Sequence, residues 1–253
     1  MGNSIIIVKD LVKKYNDFIA VKGISFEVQE GEIFGLLGPN GAGKTTTLEI
    51  IETLREKTSG EVWVDGLNLD KSPNDIKKII GVQLQAAGYY PNLSLKQIIE
   101  LFAGLYNRSV DTMELLDLVN LREKAGSKFK ELSGGQKQRF SIATTLINQP
   151  KIIFLDEPTT GLDPQARRNL WELIRNLQQR GATVVLTTHY MDEAEELCER
   201  VAIVDSGEII AINTPAALID HLINTGFQRK KEVKAASLED VFITLTGKEL
   251  REE

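Results

Sequence analysis

The chain is poor in cysteine, in positive charge and in long apolar runs. Cys198 is the one cysteine in 253 residues, so no internal disulfide can form and a reducing compartment fits. A single cysteine of this kind reads as a packed thiol. No apolar run approaches the ~18 residues of a membrane span. Any service to a membrane is therefore expected from its surface or through a partner. Lys and Arg number 30 against 36 Asp and Glu, and the resulting net charge of −6 disfavours a broad nucleic-acid surface. Internal repeats and low-complexity tracts are lacking. The stretch Met1 to Asp10 holds only Ile5-Ile6-Ile7-Val8 as an apolar core, so a strand is expected there rather than a leader peptide. The remaining composition, 42% hydrophobic and 26% charged, suits a globular chain with one large domain or a core and a smaller subdomain.

Against these absences stands one dense stretch, Gly38-Pro39-Asn40-Gly41-Ala42-Gly43-Lys44-Thr45. It reads G-x-x-x-x-G-K-[ST], a phosphate-binding loop. Its glycines let successive N–H groups turn toward an anion. Lys44 can reach β- and γ-phosphates, and the Thr45 hydroxyl can ligate Mg²⁺. The context agrees: Ile33 to Leu37 reads as a buried strand, and Thr45 to Leu54 as a helix whose N-terminal dipole faces the phosphates.

Other stretches fall into place around it. Ile24 to Val28 alternates as a half-buried strand, Glu61 to Val64 is a strand before an Asp65-Gly66 turn, and Ile79 to Leu84 is a strand that leads to Gln85. Ser94 caps an amphipathic helix running to about Tyr106, and Met113 to Val119 is a second helix. Ser133 caps a helix from Gln136 to Ile147, and Gly134 and Gly135 let a ligand approach its first turn closely. Ile152 to Leu155 reads as a doubly buried strand ending in Asp156-Glu157, where ligands bind in open α/β sheets. Asp163-Pro164 opens a helix closed by Gly181, and Ala182 to Thr187 is a strand that presents Thr188 and His189 at its carboxyl end. Val201 to Ala211 forms a hairpin, Thr214-Pro215 starts a helix that holds a solvated His221, and Gly226 to Lys234 is a basic segment. Ser237 to Asp240 fits a capping box for a last short helix. The fold class is α/β: a P-loop core with a largely parallel central sheet, an N-terminal antiparallel β subdomain and an inserted helical subdomain.

The set resembles the ATP-binding subunit of ABC transporters over nearly the whole chain. Gly38 to Thr45 matches that family's Walker A loop, Leu132 to Gln136 its LSGGQ signature, Asp156-Glu157 its Walker B, Gly161 to Asp163 its D-loop and His189 its switch histidine. Gln85 falls at the Q-loop position, and Tyr15 where relatives stack an aromatic on adenine. Thr188 to Glu195 and Leu238 to Gly247 are similar to bacterial exporters of the ABC-2 type, the drug-resistance-like group, although Asn213 stands where those relatives usually carry Gly.

The resemblance implies an ATPase with Mg²⁺ as cofactor. ATP contacts would run over Gly38 to Thr46, with Tyr15, Ser133, Gly134, Gly135, Gln136 and Asp163 completing the nucleotide site. Thr45, Gln85 and Asp156 would hold the metal, Glu157 would serve as base, and Lys44, Gln85 and His189 would act beside it. It implies a head-to-tail dimer, homomeric or heteromeric, in which the Ser133 turn of one subunit covers the γ-phosphate held by the other. It implies an integral membrane subunit, docked by Gln85 to about Tyr106 through exposed Tyr89 and Tyr90, and a place on the cytoplasmic face of the cell membrane. The expected division is an ATPase domain over 1–225, with its helical insert at about 86–150, and an extension over 226–253. Two rivals stand beside this reading. One is a soluble relative of the iron–sulfur assembly type. The other is a small-molecule kinase, which has no use for Leu132 to Gln136.

Overall fold

The computed structural model describes residues 3–83 and 88–227. Gln85 and the segment from 228 onward lie outside the described residues, as does the helix expected at Ser237. The chain divides into two units, Met1–Ala217 and Leu218–Glu253.

The first unit opens with two long strands, β1 (Ser4–Tyr15) and β2 (Phe18–Gln29). Both run further than the apolar alternation indicates, because irregular pairing carries them through the lysine-rich stretch at Lys13 and Lys14. A short buried strand, β3 (Ile33–Leu37), leads through the glycine loop into α1 (Lys44–Ile51). Next come β4 (Ser59–Val64), β5 (Leu67–Asn68), α2 (Pro73–Ile79) and β6 (Ile80–Gln83). Helix α2 is not evident from periodicity, since its seven residues bury only Ile76; Pro73 in its first turn, Asp75 near its start and Lys77 and Lys78 at its end support it instead.

Between β6 and β7 (Ile152–Asp156) lies the helical insert: α3 (Leu95–Leu105), α4 (Thr112–Leu118) and α5 (Gly134–Thr145). Ser94 and Gln97 form a reciprocal capping box on α3, and Asp111 caps α4. After β7 come α6 (Pro164–Gln179), β8 (Thr183–Thr188), α7 (Met191–Leu197), β9 (Arg200–Asp205), β10 (Glu208–Asn213) and α8 (Pro215–Asn224), whose last residues belong to the second unit.

Two sheets organise the first unit. An antiparallel sheet has the order β2-β1-β4-β5, and a six-stranded sheet has the order β10-β9-β3-β8-β7-β6. In the larger sheet every pairing from β9 to β6 is parallel, and only β10 runs antiparallel. This is the expected α/β architecture. Its strands β3, β7 and β8 are buried along their full lengths, as parallel strands covered on both faces must be. Phe34, Leu36 and Phe154 are fully buried, each contributing roughly 1.5–3 kcal/mol. Strand register sets where the loops emerge. Leu37 pairs with Thr188 and Asp156 with Thr187, so three strands end at one line on the sheet's carboxyl edge.

Candidate active site

The glycine loop leaves β3 at Gly38, whose N–H donates to the Thr188 carbonyl at 3.2 Å. Gly41 and Gly43 have φ of 81° and 100°, a region L side chains rarely adopt, and a Cβ on Gly43 would sit 2.6 Å from the Ala20 carbonyl oxygen. Pro39, Asn40 and Gly41 are exposed, Ala42 is buried, and Thr46 is half-buried on α1. The loop is thus a backbone cradle open to solvent at the start of a helix.

Lys44 is 4% exposed, and its ammonium donates to the carbonyls of Gly38 at 2.8 Å and Pro39 at 3.0 Å. It lies 3.9 Å from Glu157 Oε1. Burial lowers its pKa, while Glu157 and Asp156 oppose that shift. Thr45 Oγ1 donates to Asp156 Oδ1 at 3.1 Å, so two hard oxygens stand side by side. Burial raises the Asp156 pKa against the pull of hydrogen bonds from Thr187 and Thr45.

Glu157 is the most constrained residue of the site. It is buried and has φ of 46°, a left-handed conformation that costs a non-glycine residue roughly 1–3 kcal/mol. Thr187 holds it there, accepting from the Glu157 N–H through both Oγ1 at 3.0 Å and its carbonyl at 3.2 Å. Thr160 Oγ1 donates to Glu157 Oε2 at 3.1 Å. His189 Nδ1 lies 3.3 Å from Glu157 Oε1. A carboxylate, an imidazole and an ammonium therefore converge at the mouth of the glycine cradle, and this arrangement can hold phosphate charge and take a proton from water.

Ser133 to Gln136, Asp163 and Tyr15 belong to other elements, the first two at the starts of α5 and α6 and the last at the end of β1. Ser133 caps α5 in a capping box with Gln136, so the Gln136 amide oxygen accepts from the Ser133 N–H at 3.0 Å. Gly134 is exposed and Gly135 half-buried in the same first turn. Asp163 caps α6, accepting from the Ala166 N–H at 2.9 Å. Among the described residues no hydrogen bond or ion pair joins either cap to Lys44 or His189. Tyr15 is 37% exposed, with the Lys13 ammonium 5.0 Å and the Arg55 guanidinium 5.5 Å from its ring centroid.

The family model described as ABC transporter matches residues 21–160, more than half of the chain. A Nod factor export ATP-binding protein I from Burkholderia orbicola is 34% identical over 96% of this chain and 97% of its own length. This chain belongs to the ABC transporter family. Another relative, the linearmycin resistance ATP-binding protein of Bacillus subtilis, is 39% identical over 85% of this chain and 70% of its own. Among solved structures, a dimeric ATP-binding cassette in a post-hydrolysis state with ADP and Pi matches at a TM-score of 0.74 and 30% identity, over 83% of this chain and 98% of that one. As a member of the ABC transporter family the chain binds and hydrolyses ATP as the nucleotide-binding component of a transporter. That membership sets aside the kinase reading, and the relatives' names give the iron–sulfur reading no support.

Two corrections concern residues outside the motifs. Tyr89 is not an exposed anchor in this ABC ATPase. Its ring packs against Phe129 at 4.7 Å, Phe140 at 5.5 Å and Phe102 at 6.1 Å, and its hydroxyl bonds with that of Thr144 at 2.7 Å. Tyr90 is 63% exposed, as expected. Sequence reasoning also passed over Thr187 and Thr160, which position Asp156 and Glu157. The available signal was a threonine at the end of a doubly buried strand, where its hydroxyl must find a partner. Cys198 is buried with its pKa pushed up by burial, in keeping with a packed thiol.

Proposed function

We propose that this chain is the ATPase of an exporter of the bacterial ABC-2 type, working on the cytoplasmic face of the membrane beside a separate integral membrane subunit. Export is the reading the relatives' names support, for Nod factor in one case and linearmycin resistance in the other. No helix among the described residues is long and apolar enough to cross a membrane, and in this reading a separate membrane subunit supplies the path for cargo. The observation that carries the chemistry is the convergence of Lys44, Thr45, Asp156, Glu157 and His189 at one edge of the sheet.

We assign the roles as follows. Loop amides from Gly38 to Thr46 and the Lys44 ammonium bind the β- and γ-phosphates. Thr45 and Asp156, with Gln85, suit Mg²⁺, which prefers a few hard oxygens together with substrate phosphates and supplies charge neutralisation when bound. Glu157 orients the attacking water and takes its proton, in a carboxylate position fixed by Thr160 and by the Thr187 grip on its backbone. His189 steadies Glu157 and the γ-phosphate from the other side. Tyr15 stacks on the adenine. Ser133, Gly134, Gly135, Gln136 and Asp163 act across a dimer interface, homomeric or heteromeric, where the exposed start of α5 meets the partner's ATP. The dimeric cassette among the solved relatives supports this arrangement. We keep the division into an ATPase domain over 1–225, with its insert at 86–150, and an extension over 226–253.

The test is size-exclusion chromatography of Glu157→Gln with ATP and with ADP. The closed dimer accumulates with ATP alone if this reading holds. A monomer under saturating ATP, both alone and with any co-encoded ATPase, contradicts it.

A further inference from the structure

Helix α7 buries one carboxylate completely. Glu193 is fully buried, while Asp192, Glu195 and Glu196 on the same short helix are exposed. Asp192 and Glu196 pair with Arg167 and Arg175 of α6, but no ion pair among the described residues includes Glu193. A carboxylate at such a depth costs free energy unless polar partners surround it.

Its neighbours come from three segments, each of which leads to the reaction site. The Trp171 indole N–H donates to Glu193 Oε1 at 3.2 Å, and Trp171 belongs to α6, the helix that Asp163 caps. The hydroxyls of Thr188 and Thr159 stand beside the same carboxyl: burial raises the Glu193 pKa, and Thr188, Thr159 and Trp171 pull it back. Thr188 ends β8. Its carbonyl accepts from the Gly38 N–H and its Oγ1 from the Tyr190 N–H at 3.0 Å, so the backbone is held on both sides of His189. Thr159 lies two residues past Glu157, and its carbonyl accepts from the Leu162 N–H at 3.1 Å.

One contact in this set is incomplete. Thr159 is buried, yet neither its Oγ1 nor Glu193 Oε2 has a hydrogen-bond partner among the described residues. Buried donors and acceptors are ordinarily satisfied. A contact that served folding alone would be closed. Two neighbouring unpaired groups mark a bond that a small movement of the loop after Glu157 completes.

We propose that Glu193 is a positioning residue for ATP hydrolysis: it supports the His189 turn through Thr188 and, during turnover, accepts the Thr159 hydroxyl on Oε2, which fixes the loop that carries Glu157. This rests on the roles proposed for Glu157 and His189, and it names the group that sets the distance between them.

The test measures phosphate release at saturating Mg-ATP, ATP affinity by calorimetry and Tm without nucleotide, all in the full chain. Thr159→Val removes an unpaired hydroxyl and keeps the branched shape. Its kcat falls at least about tenfold, while ATP affinity stays within about threefold and Tm within about 2 °C of the wild type. Thr159→Ser keeps the hydroxyl and recovers most of kcat. Glu193→Met removes the acceptor at similar volume and lowers kcat at least as far; adding Thr159→Val to it lowers kcat by no more than about twofold. Thr159→Val with kcat within about twofold of the wild type overturns the proposal, as do a Tm loss large enough to account for the lost activity and effects of the two substitutions that multiply. If Glu193→Met does not fold, the Thr159 pair decides alone. Glu157→Gln separates the two failures: wild-type hydrolysis there removes the assigned base and this inference with it, whereas lost hydrolysis there beside a fully active Thr159→Val overturns this inference only.

Discussion

Replacing Thr187 with Val tests whether one hydroxyl sets the geometry of both acidic residues. Thr187 is fully buried, and its Oγ1 donates to Asp156 Oδ1 while accepting from the Glu157 N–H. Valine keeps the branched shape, so the strand pairing of Thr187 with Asp156 and Leu36 is preserved. The loss is one hydrogen bond to a buried carboxylate, worth roughly 1.5–3 kcal/mol. The Glu157 N–H retains the Thr187 carbonyl as acceptor, so no second full penalty applies. For a chain of this size a loss of about 2 kcal/mol lowers Tm by roughly 4–8 °C. Activity falls further than affinity, because Glu157 loses one of the two bonds that hold its left-handed backbone, whereas Lys44 and the glycine loop are untouched. We expect kcat to drop about tenfold or more, equivalent to ~1.4 kcal/mol, with ATP affinity changed little. Differential scanning fluorimetry and phosphate release measure the two effects. Thr187→Ser, which keeps the hydroxyl, recovers most of kcat. A valine variant that melts within about 1 °C of the wild type and keeps its kcat within about twofold shows that the hydroxyl does not position these groups.

Further outcomes concern other parts of the molecule. Lys44→Ala leaves phosphate charge uncompensated at a cost of roughly 3–4 kcal/mol, so Mg-ATP should raise Tm in the wild type and far less in the variant; equal shifts contradict the assignment of Lys44. Glu52 holds its proton up to about pH 8 in the folded chain but releases it near 4.5 when unfolded, so the folded state binds more protons between these values. Stability therefore falls as pH rises from 4.5 to 8, by up to about 5 kcal/mol at this site, and denaturant titrations of Glu52→Gln should lack that component. Tyr89→Ala should cost about 3 kcal/mol through its lost ring contacts, while Tyr90→Ala stays within about 0.5 kcal/mol; urea melts showing the reverse order refute the packing assignment.

Much of the fold was legible because its signals are local. The glycine loop, the doubly buried run Ile152 to Leu155, and the caps at Ser94, Ser133 and Asp163 each declare an element within a few residues. Helix α2 was not, since seven residues with one buried side chain leave no stripe to read. In the site, Lys44, Thr45, Asp156, Glu157 and His189 were readable as strand ends and a loop. Their meeting depends on register, Leu37 with Thr188 and Asp156 with Thr187, which no local pattern encodes. Thr187 escaped for the same reason: within its own strand it looks like one more β-branched residue. Tyr89 was misjudged because three of its packing partners, Phe102, Phe129 and Phe140, come from distant positions of the helical insert.

The central claim is that Glu157, in its strained position between Lys44 and His189, is the base of ATP hydrolysis. Phosphate release by Glu157→Gln under saturating Mg-ATP, measured beside ATP affinity by calorimetry, tests it most directly. Release should fall by about 10²–10⁴-fold while affinity stays within a few-fold of the wild type. Hydrolysis at the wild-type rate with ATP bound normally would place the base elsewhere.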